Sequence, residues 1–403
     1  MPAGNLSTSL VTNERAPNGF AARTALEPVR VLHVNSGNLF GGVETILLTL
    51  ARLRDLCPGM DCHFALCHEG RLSTALREAG ACVHILGRVR MSRPWSVRNA
   101  RRNLREILRR ERFDMVICHM PWSLAVFGRA VRAQGQRLGF WAHGFHSGHG
   151  WLELVARWTK PDLAIANSAF TENGLANLFQ NVPHQVVYAP IALNPSPERD
   201  LWRSSLRQRE GIDDDTVVII QVSRLESWKG HLLHLDALAH LQSMPQWRCW
   251  MVGGPQRPEE EVYLGQLQRA ATRLGVGERV QFMGQRSDIP QLLAAADIFC
   301  QPNLGPEPFG IVFIEALWAG RPVVTTAIGG AVEIVDESCG LLVEPGNPAS
   351  LAASLHRLIE CPKLRARLGQ AGADRARLLC DPASQMKKLM DLSRSGMGGG
   401  RDV

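Results

Sequence analysis

One alternation runs through the 403 residues: a short apolar run, a turn that often contains glycine, and a segment long enough for a helix. In the first half the apolar runs occupy 29–35, 62–67, 82–86, 115–118, 138–142 and 163–166. In the second half they occupy 217–222, 249–252, 280–283, 298–301, 323–326 and 341–343. Strands that alternate with helices form parallel sheets covered by helices. The sequence therefore predicts an α/β fold with two Rossmann-like, doubly wound domains.

Prolines at 190, 195 and 197 interrupt this alternation once, which indicates a linker between the domains. A chain of this length is also too long for one compact core. The predicted segments are a disordered tail (1–27), a first domain (28–189), a linker (190–198), a second domain (199–380), a C-terminal helix that can pack back on the first domain (381–395) and a frayed tail (396–403).

The composition favours a cytoplasmic globular protein. The chain is 45% hydrophobic and 21% charged, and no run approaches eighteen apolar residues. Residues 1–27 lack the basic start and apolar block of a signal peptide. The ten cysteines form no C-x-x-C pair, and several lie inside apolar runs, which is typical of reduced, buried thiols.

The positive charge is concentrated in one segment. Residues 88–112 contain ten arginines and two glutamates, whereas the whole chain carries a net charge of +7. Apolar residues recur there at helical spacing, with Arg101, Arg102, Arg105 and Arg109 on the other face. Such a helix can lie on an anionic membrane or can be a solvated flank, and the pattern leaves both open. Because no base-stacking or groove-reading motif accompanies the charge, no nucleic-acid partner is expected.

Two cations follow the apolar run 217–222. Ligands of open parallel sheets bind beyond the carboxyl ends of the strands. Arg224 leaves the predicted strand, and Lys229 stands near the start of the next helix. Two cations and a helix N-terminus suit a diphosphate, although two surface cations on a loop fit the pattern equally well.

Two glutamates flank a second predicted helix start. If that helix opens near Pro308, Glu307 lies at the mouth of the cleft and Glu315 about two turns further along. Gly310 would let a ligand approach the first-turn amides closely. Because Glu315 lies in an apolar stretch, its carboxylate requires a partner, either a cation or a pair of vicinal hydroxyls.

Glu307 and Glu315, with seven residues between them, resemble the E-x7-E motif of retaining glycosyltransferases of family four, which have the GT-B fold. Four further elements are similar in the same order, and together the similarity covers about residues 29–395. These elements are the loop Gly41-Gly42-Val43-Glu44, the pair Arg224 and Lys229, the strand end Val252-Gly253-Gly254 and the strand end Phe282-Met283-Gly284.

The resemblance implies two domains facing across a cleft, with a nucleotide-sugar donor bound mainly by the second. It implies that Glu315 accepts from ribose hydroxyls, that Glu307 contacts the sugar, and that Arg224 and Lys229 hold the diphosphate. The implied donor-binding residues are Gly41, Gly42, Arg224, Lys229, Gly253, Gly254, Gly284, Phe309, Gly310, Ile311 and Glu315. The first domain would hold a saccharide or lipid-linked acceptor.

His143 follows the run 138–142 and matches the position where the family places a histidine near the donor sugar. The resemblance implies that His143 and Glu307 are the catalytic residues. His119, at the end of the preceding run, is a second candidate on the acceptor side and fits a structural role equally well. His143, His146 and His149 fit no zinc motif. Asp213–Asp215 precede a strand and therefore lie at the wrong edge of the sheet, so no metal or cofactor is expected.

The expected function is metal-independent transfer of a sugar, with retained configuration, from a nucleoside diphosphate sugar to an acceptor hydroxyl. Polysaccharide, lipopolysaccharide or glycolipid assembly at the inner face of the membrane would suit the basic segment. Two alternatives stay open: a sugar-nucleotide epimerase or phosphorylase on the same fold, and a non-catalytic sugar-nucleotide-binding subunit.

Overall fold

A computed structural model describes residues 27–37, 41–192 and 197–395. The predicted tails 1–27 and 396–403, apart from Glu27, lie outside the described residues, as do residues 193–196 of the predicted linker.

The first sheet has seven parallel strands in the order β3-β2-β1-β4-β5-β6-β7. They are β1 (Val29–Asn35), β2 (Met60–Leu66), β3 (Cys82–Ile85), β4 (Met115–His119), β5 (Leu138–Ala142), β6 (Leu163–Ala166) and β7 (His184–Val186). The helices around it are α1 (Gly42–Arg52), α2 (Arg71–Glu78), α3 (Pro94–Arg110), α4 (Met120–Arg132), α5 (Trp151–Arg157), α6 (Ala169–Glu172) and α7 (Leu175–Leu178). Strands β4, β5 and β6 are buried along their whole length, as strands covered on both faces must be.

The second sheet has six parallel strands in the order β10-β9-β8-β11-β12-β13. They are β8 (Val217–Val222), β9 (Trp247–Val252), β10 (Val280–Gly284), β11 (Ile298–Gln301), β12 (Val323–Thr326) and β13 (Gly340–Val343). The remaining helices are α8 (Arg199–Arg209), α9 (His231–Ala239), α10 (Pro258–Arg273), α11 (Ile289–Ala295), α12 (Ile311–Trp318), α13 (Ala331–Ile334), α14 (Pro348–Glu360), α15 (Pro362–Cys380) and α16 (Pro382–Arg394). Two parallel, doubly wound sheets confirm the predicted fold class.

The strand order places a crevice in each sheet. Both orders reverse direction, at β1/β4 in the first sheet and at β8/β11 in the second. Ligands of such sheets bind at this reversal, beyond the carboxyl ends of the strands. His119 ends β4, while Lys229 follows β8 and Glu307 follows β11. The fold therefore directs the candidate residues of both domains to the two switch points.

The two domains contact each other beside these crevices. The Ser168 hydroxyl of the first domain donates to the Pro308 carbonyl over 2.5 Å. The Glu333 carboxylate of the second domain accepts from the backbone amides of Ala169 and Phe170 at 2.8 and 2.6 Å. The Tyr188 hydroxyl also donates to Glu333, over 3.2 Å. A charge-assisted contact of this kind is stronger than a neutral one, so Glu333 is a main connection between the domains.

The last helix, α16, follows the second domain but packs against the first. Arg137, which precedes β5, donates to the carbonyls of Ser393 and Ser395, each over 2.7 Å. The Cys57 thiol lies 3.8 Å from the Met390 sulfur. The chain thus crosses between the domains twice.

All ten cysteines lie in the described part of the chain, and none of them is in a disulfide. Among the described helices, none combines the length and apolar character needed to cross a membrane.

Candidate functional site

Lys229 is held at the carboxyl end of β8 by a constrained turn. Gly230 has φ +74°, and a Cβ there would fall 1.8 Å from the Pro302 carbonyl oxygen. The loops after β8 and β11 therefore approach so closely that only glycine fits. Within β8, the Gln221 side chain donates to the Lys229 carbonyl over 2.9 Å. These contacts leave the Lys229 side chain 9% exposed and directed at the β11 loop.

The Lys229 ammonium forms an ion pair with the Glu307 carboxylate. Two amides at the end of β11, from Gln301 and Asn303, also lie 3.4 Å from the same carboxylate oxygen. On its other side, the ammonium lies 4.0 Å from the centre of the Trp228 ring. Charges this buried are stable only when paired and hydrogen-bonded, and here the partners come from both strands at the switch point.

Arg224 is in a different situation. Its side chain is 49% exposed and pairs with Glu226 over 3.1 Å. The expected pair of cations thus consists of one buried, fixed ammonium and one exposed guanidinium that already has a carboxylate partner. In the part of the chain that the structure describes, Arg224 pairs with Glu226, whereas Lys229 pairs with Glu307.

Glycines bring the ends of neighbouring strands close together. The Gly253 amide donates to the Gly284 carbonyl over 2.9 Å, which ties the end of β9 to the end of β10. Gly253 has φ +148°, and a Cβ there would lie 2.0 Å from the Ser223 carbonyl oxygen. A Cβ on Gly254 would lie 2.7 Å from the Gln285 amide nitrogen. Glycine at these positions therefore lets the backbones that follow β8, β9 and β10 pack against one another.

Helix α12 begins at Ile311, so the prediction that it opens at Pro308 is wrong. Gly310 is its N-cap, with φ +100°, and this left-handed residue separates the preceding turn from the helix. Pro308 instead lies in the interdomain contact through its carbonyl. The first-turn amides of α12 still point towards the cleft end of the helix, where an anion is favoured.

The Phe309 side chain does not line the cleft. It is 2% exposed and stacks on Tyr188, with ring centres 5.4 Å apart. The ring therefore supports the interdomain contact, and only the backbone of Phe309 can contact a ligand in the cleft.

The glycine loop of the first domain faces this helix start. Gly41 caps α1, and its amide donates to the Glu44 carboxylate over 3.0 Å. Asn35, at the end of β1, holds the other oxygen of Glu44, also at 3.0 Å. A Cβ on Gly42 would lie 3.7 Å from the Ile311 Cδ1 atom. The N-termini of α1 and α12 therefore meet across the cleft, as expected for two domains that face each other.

Glu315 lies on the wall of a cavity of about 660 Å³ between the domains. The cavity is bounded by α1, α8, α11, α12 and α15, and its wall includes Thr45, Arg52, Arg199, Ile289 and Arg377. Burial raises the pKa of the Glu315 carboxyl from 4.5 to about 7. Within the described residues, this carboxylate has no hydrogen bond and no ion pair. A ligand hydroxyl in the cavity would supply the partner that this partly buried carboxylate needs.

His143 and His119 belong to a chain of three histidines. His119 Nδ1 lies 2.8 Å from His143 Nε2, and His33 Nδ1 lies 3.0 Å from His119 Nε2. The Trp141 ring stacks on both His119 and His143. Burial lowers the pKa of His33 and of His143 to about 3 and that of His119 well below its ordinary value. All three rings are therefore neutral at physiological pH.

The two ring nitrogens at the ends of this row of histidines, on His33 and His143, differ from the others in lacking partners in the described part of the chain. His143 Nδ1 and His33 Nε2 are buried, and neither has a hydrogen-bond partner among the described residues. Met120, directly after His119, has φ +66°, which is rare for a residue other than glycine. Unsatisfied polar atoms and local strain concentrate at functional sites.

His146, His149 and Asp213–Asp215, the metal ligands considered from the sequence, do not converge in the described part of the chain. His146 pairs with Glu153 over 2.9 Å, and the described part of the chain groups neither His146 nor His149 with other metal ligands. Asp213–Asp215 precede β8, at the edge of the sheet opposite the crevice.

The basic segment forms α3, and its arginines do not share one environment. Arg101 turns inward and donates to the Val126 and Ala125 carbonyls of α4, at 2.5 and 3.3 Å. Arg102 and Arg109 are exposed, and Arg105 is half-buried. Trp95, in the first turn of α3, is 63% exposed.

Sequence reasoning missed several residues of the site. His33, Gln301 and Asn303 are polar side chains within or just after apolar strands, and that position is a signal that could have singled them out. Glu333 gave no such signal, because its partners are backbone amides of the other domain.

Two family models cover most of the chain. "Glycosyltransferase Family 4" matches residues 40–196, and "Glycosyl transferases group 1" matches residues 203–375. A mannosyltransferase of Corynebacterium glutamicum that uses GDP-mannose and acts on a monoacylated phosphatidylinositol monomannoside is 30% identical, over 66% of this chain and 72% of the relative. The chain therefore belongs to the group 1, family four glycosyltransferases, and its two-sheet architecture is the GT-B fold.

Two more similar proteins extend this comparison. A D-inositol 3-phosphate glycosyltransferase of Nocardioides sp. is 30% identical, over 54% of this chain and 50% of the relative. The chain thus spans about half the length of most of the curated relatives it matches. The crystal structure of HepE from Anabaena in complex with UDP and glucose is 27% identical and has a TM-score of 0.79, over 91% of this chain and all of that one.

Proposed function

We propose that this protein transfers a sugar from a nucleoside diphosphate sugar to an acceptor hydroxyl, with retained configuration and without a metal. The observation that carries the proposal is the Lys229–Glu307 pair at the β8/β11 switch point, beneath the N-terminus of α12. HepE, the similar protein from Anabaena, has been crystallised with UDP and glucose, which supports a sugar-nucleotide donor.

Cleavage of a glycosyl–diphosphate bond places negative charge on the leaving group. Lys229 and the first-turn amides near Gly310 and Ile311 are fixed before the reaction and require no reorganisation to meet that charge. Arg224 reaches the diphosphate by exchanging Glu226 for a phosphate oxygen. These groups take the role that a metal ion has in other transferases.

Glu307 orients the transferring sugar. Its carboxylate is held by Lys229 and two amides, so it accepts hydrogen bonds from sugar hydroxyls in a defined position. Because its charge is already paired, it is a poor covalent nucleophile. His143 faces the sugar from the first domain. The acceptor then attacks from the side on which the diphosphate leaves, which retains the configuration.

Glu315 binds the ribose, and the strand ends at Gly253, Gly254 and Gly284 enclose the base. The acceptor is a saccharide or a lipid-linked saccharide bound by the first domain. We further propose that the protein acts in the cytoplasm, at the inner face of the membrane, in polysaccharide, lipopolysaccharide or glycolipid assembly. The exposed arginines of α3 and the exposed Trp95 would contact anionic lipid.

The test begins with a thermal-shift screen of UDP, GDP, ADP and their sugars. A ligand at 100 times its Kd adds about 2.7 kcal/mol to the stability of the native state. The best donor is then incubated with candidate acceptors, and the anomeric configuration of the product is determined. An epimerised donor without acceptor would identify an epimerase, a sugar phosphate formed from inorganic phosphate would identify a phosphorylase, and binding without any product would identify a binding subunit.

Variants separate binding from turnover. Lys229→Met should weaken binding of the free nucleoside diphosphate about ten- to a hundredfold, because a charge-assisted hydrogen bond is lost. Glu307→Gln should slow transfer strongly but leave diphosphate affinity unchanged or higher, since it releases Lys229 from its partner. Lys363→Met, an exposed lysine on α15, is the matched control. Wild-type transfer rates and donor affinity in Glu307→Gln would place the active site elsewhere.

A further inference from the structure

Three metal-ligating side chains converge on the edge of the first sheet, away from the cleft. Atoms of His63, Cys82 and His84 lie within 4.8 Å of one another. His63 is paired with Cys82 across β2 and β3, and His84 is two residues further along β3. Alternate residues of a strand point to the same face, so the sheet itself brings the three side chains together. Cys82 is the first residue of β3, whereas the candidate catalytic residues follow the carboxyl ends of their strands.

Two separations within the cluster match the edges of a zinc tetrahedron. Zinc lies about 2.05 Å from an imidazole nitrogen and about 2.3 Å from a thiolate sulfur, which gives N···N and N···S edges of about 3.4 and 3.6 Å. Here His63 Nδ1 and His84 Nε2 are 3.4 Å apart, and Cys82 Sγ and His84 Nε2 are 3.5 Å apart. The N···N separation is long for a hydrogen bond, so direct bonding between the two rings does not explain the arrangement.

Glu111 supplies a fourth ligand. Its carboxylate oxygens lie 3.7 Å from His63 Nδ1 and 3.9 Å from His84 Nε2. A regular site requires about 3.3 Å, and the Glu111 side chain, which is 31% exposed, can close this difference by a small rotation. Glu111 directly follows α3, so the fourth ligand comes from a separate element.

The surroundings orient the ligands as known zinc sites do. His63 Nε2 lies 3.0 Å from the Asp61 carboxylate and 3.1 Å from the Arg30 guanidinium. In the tautomer that donates its N–H to Asp61, the lone pair of Nδ1 is directed into the cluster. Arg30 contacts both Glu111, at 2.6 Å, and Asp61, at 3.3 Å. A divalent ion with one thiolate and the Glu111 carboxylate is neutral overall, and the charges of Arg30 and Asp61 also cancel.

We infer that His63, Cys82, His84 and Glu111 form a structural zinc site, which joins β2, the edge strand β3 and the end of α3. A thiolate, two imidazoles and a carboxylate in tetrahedral arrangement favour zinc over magnesium or calcium. Binding converts the Cys82 thiol to a thiolate and releases its proton to solvent, with no redox change. The site fastens the basic helix to the sheet and takes no part in sugar transfer.

The experiment uses the full chain, freed of metal by dialysis against a chelator, and zinc alone as the probe. We expect one zinc per chain by mass spectrometry of the metal content and a rise in Tm when zinc is added. Cobalt in place of zinc should give a near-ultraviolet charge-transfer band from the thiolate. Cys82→Ser and His84→Gln should lose stoichiometric zinc binding, and Cys82→Ser should also lose the band.

Two further variants sharpen the result. Asp61→Asn should weaken zinc binding about 10- to 100-fold, as loss of a carboxylate behind a histidine ligand does. Cys361→Ser, at the N-cap of α15, is the matched thiol control and should keep both the band and the affinity. Because Cys82 is exposed, its serine variant should fold, which circular dichroism verifies. Failure of the wild-type chain to bind zinc at micromolar concentration, or unchanged binding in Cys82→Ser, would overturn the inference.

Discussion

Replacing Glu315 with glutamine should stabilise the folded protein in alkaline solution while weakening its binding of nucleotide. The folded-state pKa of Glu315 is about 7, above its ordinary 4.5, because burial disfavours the charged form. Between these values the folded state keeps a proton that the unfolded chain has lost. The wild-type protein therefore loses stability as the pH rises from 4.5 to about 7, and the full penalty persists above 7.

The magnitude follows from the interval between the two pKa values. At 1.36 kcal/mol for each pH unit, full ionisation costs the folded state about 3 kcal/mol. Glu315 borders a cavity that water can enter, so the measured difference should lie between about 1 and 3 kcal/mol. The glutamine amide has its own burial cost, but that cost does not change with pH.

The assay is urea unfolding of the wild type and of Glu315→Gln at pH 5 and at pH 8. The stability gained by the substitution at pH 8 minus that gained at pH 5 isolates the ionisation. Glu337→Gln, an exposed turn carboxylate of the same domain, should show no such difference. Calorimetric titration at pH 8 should show the best nucleoside diphosphate binding about ten- to a hundredfold more weakly to Glu315→Gln.

A pH-independent effect of Glu315→Gln on stability would refute the proposed burial of the charge. Stabilisation at pH 8 with unchanged nucleotide affinity would instead keep the electrostatic argument and remove Glu315 from the ribose site.

Three other outcomes are expected. Reversing Arg102, Arg105 and Arg109 to glutamate should abolish sedimentation with phosphatidylserine vesicles, at about 1 kcal/mol for each residue near the surface, and wild-type protein that ignores such vesicles at low salt would contradict a membrane contact. Arg101 is left unchanged there, because its guanidinium holds α4. Transfer should survive EDTA at 25 °C because fixed cations and amides meet the leaving-group charge, and a complete loss that manganese restores would show a catalytic metal. Glu333→Gln should raise the donor Kd about tenfold by loosening the interdomain contact, and small-angle scattering should show a larger radius of gyration; identical scattering and affinity would mean that other contacts hold the domains.

The buried strands were predictable, because β4, β8 and β11 are apolar runs long enough to identify from the sequence. β7 was not, since it has three residues, two of them exposed. The start of α12 was misplaced because proline is a common first helical residue, while the backbone conformation of Gly310 cannot be deduced from composition.

Contacts between residues far apart in the chain could not be predicted from the sequence. Lys229 and Glu307 are 78 residues apart, and their pairing depends on β8 and β11 being neighbours. The cluster at His63 depends in the same way on the register of β2 with β3, which no local pattern determines. Motif spacing selected individual residues that the structure places after strands. The partners of each residue follow from the order of strands in the sheet.

The three histidines in the first domain have a consequence for proton transfer. A neutral imidazole carries one N–H and one lone pair, so both hydrogen bonds of the chain must run in the same direction. If His33 donates to His119, then His119 donates to His143, and His143 presents an N–H at Nδ1. If the direction is reversed, the same Nδ1 presents a lone pair. Switching between the two states moves one proton along each of the two hydrogen bonds, and it requires a proton to enter at one end of the chain as another leaves at the opposite end.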